Sequence, residues 1–152
     1  MKAVELLPFE AGIAAGADVV MAAHITTPNA TEDVLPASLS YTILTERLRG
    51  ELGFTGVICT DGLGMKAITD HYSPAEAAIA ALDAGADLLL LPADLQEAFD
   101  GVVAAVESGR ISEERLDESV RRILTLKEKA DLSLRASTPA DTLLDRLSRL
   151  WN

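Results

Sequence analysis

Short unbroken apolar runs alternate along this chain with longer stretches of helical spacing. Residues 4–15 carry apolar side chains three and four apart, and Gly16 ends that helix by accepting a left-handed backbone. Asp18-Val-Val-Met-Ala-Ala-His24 then reads as a buried strand that ends on a polar residue. A loop rich in Thr, Pro and Asn covers residues 25–36; Ser40 can cap a helix running to Arg49, with Gly50 and Gly53 marking its exit. Val57, Ile58 and Cys59, bounded by Gly56 and Gly62, predict a second strand buried on both faces, with Asp61 at its C-terminal end. After a loop over 62–72, Ser73-Pro74-Ala75-Glu76 is a strong helix start: serine as N-cap, proline at the first helical position, glutamate reaching back from the third. That helix reaches Ala84 and stops at Gly85.

Asp87-Leu-Leu-Leu-Leu-Pro92 is the third expected strand, followed by a helix over 95–107 that Gly109 closes. Ser112 caps a long amphipathic helix over 113–129, whose packed stripe is expected to be Leu116, Val120, Ile123, Leu124 and Leu126. The tail, 133–152, suits either a last short helix to Trp151 or a linker. Ala15-Gly-Ala-Asp-Val-Val and Ala84-Gly-Ala-Asp-Leu-Leu repeat one helix stop and strand start, with the central unit between them. Such repetition marks a wound α/β architecture of parallel strands, and places His24, Asp61 and Pro92 at strand ends on one rim, where α/β folds carry their chemistry. Three strands cannot close a barrel, and an open sheet this small leaves apolar edges bare, so the chain reads as part of a larger domain.

Composition narrows the partners. The 152 residues include 13 basic and 24 acidic side chains, a net charge of −11, which argues against nucleic acid or an anionic membrane surface. Apolar residues are 49% of the chain but aromatics only 4%, as expected where small-residue helices cover a parallel sheet. One cysteine excludes an internal disulfide. Glu5 and Glu10 interrupt the first apolar run, unlike a signal peptide, and no run reaches the ~20 residues of a membrane span; a cytoplasmic location is the expectation.

Among chemically able groups, Asp61 comes first: a carboxylate there can be a nucleophile, a base or a metal ligand, or simply a turn residue. His24 can contact substrate or order the site, and with Asp61 it could ligate a metal, though such sites usually want three or four ligands. Met65 can line a pocket or merely pack its loop, beside Lys66; His71 is expected in solvent and Cys59 buried and inert. Gly62 and Gly64 permit a sharp turn behind Asp61 without the spacing of a phosphate-binding loop, and Trp151 is too isolated to be a sugar platform.

Taken together, GFTGVICTDGLGMKAI, AAIAALDAGADLLLLP, ELLPFEAGIAAGADVVMAAHI, LPASLS and ISEERLDESVRRILTLKEK resemble glycoside hydrolase family 3 over residues 4–132, in its bacterial β-N-acetylglucosaminidase (β-hexosaminidase) branch. The resemblance implies a (β/α)8 barrel, of which this chain holds three strands from the C-terminal part, and makes Asp61 the nucleophile of a retaining hydrolase. The implied substrate is a β-linked glycan, such as a peptidoglycan fragment, that loses its terminal N-acetylglucosamine; no cofactor is implied. The family's Asp-x-His acid/base loop and its sugar-gripping Lys-His and Arg have no counterpart here, since neither His24 nor His71 follows an aspartate by two residues. Little turnover is therefore expected from this chain alone. Two other functions stay open: a metal-dependent barrel hydrolase built on His24 and Asp61, and a half-barrel acting by association with a missing N-terminal half or with itself.

Overall fold

Three parallel strands, β1 (Val19–Ala22), β2 (Val57–Gly62) and β3 (Leu88–Leu90), lie side by side in that order in the computed structural model, which describes residues 5–28, 31 and 34–130. Val19 pairs with Val57 and the register holds to Ala22 opposite Thr60. On the other side Cys59 faces Leu88 and Gly62 faces Leu90, with a slip between them. The Thr60 hydroxyl absorbs that slip, accepting the Leu90 N–H at 3.1 Å.

The helices follow the expected order. They are α1 (Leu7–Ala14), a 3-10 turn (Ala37–Leu39), a π-helix (Thr42–Glu51), α2 (Lys66–Thr69), α3 (Pro74–Ala84), α4 (Leu95–Glu107) and α5 (Glu113–Lys129). Ser40 takes the Ile43 N–H as expected of a cap, at 3.3 Å, but the helix it opens is wound wide: Leu52 N–H closes on the Arg47 carbonyl, five residues back, at 2.8 Å. The π-helix is stitched to α3 by the Thr45 hydroxyl, which donates to the Ala84 carbonyl at 2.8 Å. A Cβ on Gly85 would meet that hydroxyl oxygen at 2.4 Å, and Gly85 has φ of +113°, so close approach and left-handed backbone both require glycine. The loop expected over 62–72 contains the single turn of α2, because the Met65 carbonyl accepts from both Ile68 and Thr69.

The main core lies under the π-helix and α3, where Leu44, Leu48, Phe54, Ile58, Leu63, Ile68, Ala77 and Ala81 meet. Alanines on α3 let α4 come close: a Cβ on Gly101 would meet the Ala75 Cβ at 2.5 Å. A second cluster of Ile79, Leu82, Ala105 and Ile111 joins α3 to α4.

Two expectations need correction. Val57 to Thr60 on β2 are buried, but β1 is not a buried strand: Val20 and Ala22 pack into the core while Val19 and Met21, on the opposite face, are exposed, Met21 by 58%. Period-two alternation puts those two side chains on the same face as their register partners Val57 and Cys59, which are buried, so the cover on that face gives out at β1. On α5, Val120 and Leu124 are exposed, and Ser119 is its one buried residue. The side of α5 that meets the sheet carries Arg115, Ser119 and Arg122, spaced four and three apart, with Leu116, Ile123 and Leu126 only half-buried beside them. No helix among the described residues is long and apolar enough to cross a membrane. The alternatives weighed for residues 133–152 lie outside the described residues.

Candidate active site

Asp61 stands at the penultimate position of β2, at its C-terminal end and partly buried. The strand delivers it there because Val57 to Thr60 are locked on both sides by parallel neighbours. Asp61 Oδ1 accepts the Gly62 N–H at 2.7 Å. Among the described residues its second oxygen has no hydrogen-bond or ion-pair partner, so one oxygen orients the carboxylate and the other is left for chemistry.

The backbone behind Asp61 is held from both flanks. Towards β3, Leu63 and Gly64 donate their N–H groups to the Leu90 and Leu91 carbonyls, each at 2.8 Å. Leu91 reaches that geometry with φ of +43°, uncommon for a branched side chain and a local strain of the kind that gathers at functional sites. A Cβ on Gly64 would lie 3.1 Å from the Leu91 carbonyl oxygen, which explains the glycine. Towards β1, His24 Nε2 lies 2.9 Å from the Gly62 carbonyl oxygen and Nδ1 lies 2.7 Å from Ser38 Oγ. Met65 N–H reaches the same Gly62 carbonyl at 3.0 Å.

His24 therefore has both ring nitrogens engaged within the protein, which leaves none for a metal shared with Asp61. Among the described residues no group of three or more His, Cys, Asp or Glu side chains is arranged to hold a metal ion. Met65 starts α2 with its side chain half-exposed close behind Asp61, Lys66 pairs with Asp70 at 3.0 Å in solvent, and His71 is exposed. Cys59 is buried and its thiol is pushed up by that burial and, secondarily, by the Asp61 charge, so it is a poor nucleophile at neutral pH.

Asp87, a residue without an assigned role in the sequence pattern, anchors the opposite end of the sheet. Its carboxylate is wholly buried: Oδ2 accepts from Arg49 at 2.6 Å and from the Ile58 N–H at 2.9 Å, and Oδ1 from the Ser119 hydroxyl at 2.6 Å and Arg122 at 3.2 Å. Arg115 stands 3.9 Å away. Burial lowers the pKa of Arg49 and Arg115, and Asp87 opposes that shift in both. Partners 29 to 38 residues away leave no local sequence signal, beyond two arginines sharing the serine's face of α5.

Among the described residues cavities lie beside the sheet, and Asp61 lines neither of the two that follow. One of about 400 Å³ runs along the free edge of β1 between Phe9, Met21, Ala22, Ile25, Leu48 and Leu52. The other, about 530 Å³, opens under the strand starts between Asp18, Gly56, Arg121, Arg122 and Lys129.

The model of the glycosyl hydrolase family 3 N-terminal domain matches residues 1–126. The chain belongs to glycosyl hydrolase family 3. It is similar to the β-hexosaminidase A of Pseudoalteromonas piscicida, 34% identical over 92% of this chain and 27% of that protein. A β-N-acetylglucosaminidase/β-glucosidase of Cellulomonas fimi is 34% identical, over 87% of this chain and 25% of its own length. The fold superposes on a family 3 β-N-acetylglucosaminidase from Paenibacillus sp. str. FPU-7 with a TM-score of 0.82 and 46% identity, over 89% of this chain and 26% of that one. The chain thus spans about a quarter of the length of these relatives.

Proposed function

We propose that this family 3 chain is the nucleophile-bearing part of a retaining β-N-acetylhexosaminidase, with its three strands forming part of a (β/α)8 barrel. The observation that carries the reading is Asp61: a carboxylate at the C-terminal end of the central strand, one oxygen tied to Gly62 N–H and the other unbonded among the described residues. In this reading the unbonded oxygen attacks the anomeric carbon of a terminal N-acetylglucosamine. The carbon–oxygen bond to the leaving group breaks, the configuration inverts once, and water later releases the sugar with a second inversion. The leaving oxygen needs a proton in the first step, from a carboxylic acid or its equivalent about 5 Å away from the nucleophile in typical retaining enzymes. The donor is assigned to the part of the domain that this chain does not contain, as are most of the sugar contacts. Substrates of the peptidoglycan-fragment type suit this reading.

The chain alone is expected to release no chromophore from a β-N-acetylglucosaminide. Mixing it with a polypeptide carrying the remaining barrel units of a family 3 relative should restore turnover, and Asp61→Asn in the mixture should remove it. Turnover by the unmixed chain, or turnover that survives Asp61→Asn, overturns the proposal.

A further inference from the structure

We propose that His24 is a positioning residue for Asp61, acting through Gly62, whose carbonyl sets the ring's tautomer while Ser38 holds its other nitrogen. The inference rests on Asp61 being the nucleophile and adds what holds it in line. A carbonyl oxygen only accepts, so the 2.9 Å contact with Gly62 requires the hydrogen on Nε2. Nδ1 is then an acceptor, and the Ser38 hydroxyl donates to it at 2.7 Å. Ser38 is wholly buried in the 3-10 turn (Ala37–Leu39), so the donor's own place is fixed.

Gly62 converts this hold into aim. Its carbonyl is gripped by His24 and Met65, and its N–H grips Asp61 Oδ1 at 2.7 Å. Rotation of the Gly62 backbone would carry the N–H away and free the carboxylate to swing about its own side-chain torsions. The bond from just past β1 to the last residue of β2 is therefore a brace across the rim, from Ser38 through the imidazole to the nucleophile's only hydrogen-bond donor among the described residues. Misplacement of a reacting group by about 1 Å can cost about 10²-fold in rate, which sets the scale of the expected effect. His24 touches no reacting atom in this scheme, in contrast to the substrate contact open to it in the sequence.

The test uses the full chain and three variants, His24→Phe, His24→Gln and Ser38→Ala. Gln can donate to Gly62 and accept from Ser38, whereas Phe keeps bulk without either bond. Nitrogen-15 spectra of the wild type should show His24 with its hydrogen on Nε2, and exchange of the Gly62 amide should be slow. Both features should be lost in His24→Phe, and the slow exchange regained in His24→Gln. In the reconstituted mixture, a 5-fluoro-N-acetylglucosaminyl fluoride serves as probe: an Asp61 oxygen bonds to C1 as the C1–F bond breaks, and fluoride leaves with the electron pair. Labelling of Asp61, read by peptide mass, should slow roughly 10- to 100-fold in His24→Phe and Ser38→Ala at unchanged probe affinity, and recover in His24→Gln. Equal labelling rates in His24→Phe, or Gly62 exchange indifferent to it, overturn the brace. A label that lands elsewhere or nowhere in the wild type overturns the nucleophile instead, and the exchange measurement still decides the brace.

Discussion

Asp87 and Asp70 are both aspartates in ion pairs, yet the surroundings make them energetically unlike. The Lys66–Asp70 pair is in solvent, where water competes for both charges, and its loss should cost under about 1 kcal/mol. Asp87 is buried among three guanidinium groups, of which Arg122 also pairs with Glu118 at 3.2 Å, and a backbone N–H and a hydroxyl complete its shell. Removing it takes from Arg49 its one ion-pair partner among the described residues and strips a largely buried cluster of its central anion, so Asp87→Ala should lower stability by about 3–5 kcal/mol while Asp70→Ala barely moves the urea midpoint. Equal effects of the two substitutions would show that the buried network is not what ties α5 down. Nothing local foretold this contrast, because the repeat containing Asp87 reads as a turn before a strand and its partners come from two distant helices. The place of Asp61 at a strand end was legible for the opposite reason: its strand, its flanking glycines and the motif around it all lie within a dozen residues.

Among the elements, helices with their stop and start signals in sequence were read most closely. The expected bounds of α3, α4 and α5 match because Ser73, Asp94 and Ser112 each accept an N–H from three residues on. The outer strands β1 and β3 came out shorter than expected, since an apolar run extends past the point where a neighbour supplies hydrogen bonds, whereas β2, paired on both sides, runs to Gly62. The capping box of α3 also gives a pH test. Glu76 accepts the Ser73 N–H, chiefly for that reason and then for the Ser73 hydroxyl contact its folded pKa lies below the ordinary glutamate range. A depressed folded pKa means stabilisation that is present above the unfolded value and lost as pH falls through the folded one. The stability gap between the wild type and Glu76→Ala should therefore be largest at neutral pH and close on acidification below the usual glutamate range. A gap constant down to the acid limit would mean that the carboxylate's charge has no part in the cap.

For the molecule as a whole, the open question in the sequence was what covers the sheet, and the described residues answer it fully at β2 but only on one face at β1. α3 and the π-helix bury one face, while Val19 and Met21 look out from the other and Phe9 and Ile25 line the groove along β1. That distribution fits the proposed missing units, and a hydrophobic dye such as ANS should bind the isolated chain and be displaced when those units are added. Dimerisation of the chain alone, seen by light scattering together with dye exclusion, would favour self-association over a missing half. The apolar pattern predicted such edges from strand count, but could not show which side chains they would bare, since that depends on the register of β1 against β2.

Lys129, at the end of α5, holds Asp18 at the foot of β1 across 111 residues of chain. Two exposed charges add little free energy, but the contact marks where early and late parts of the polypeptide finally lie together. At about 5–20 residues per second of synthesis, β1 emerges roughly 6 to 22 s before α5 can roof that corner. During translation Asp18 therefore waits without this partner until α5 has emerged, so the corner under the strand starts can close only near the end of synthesis of the described residues.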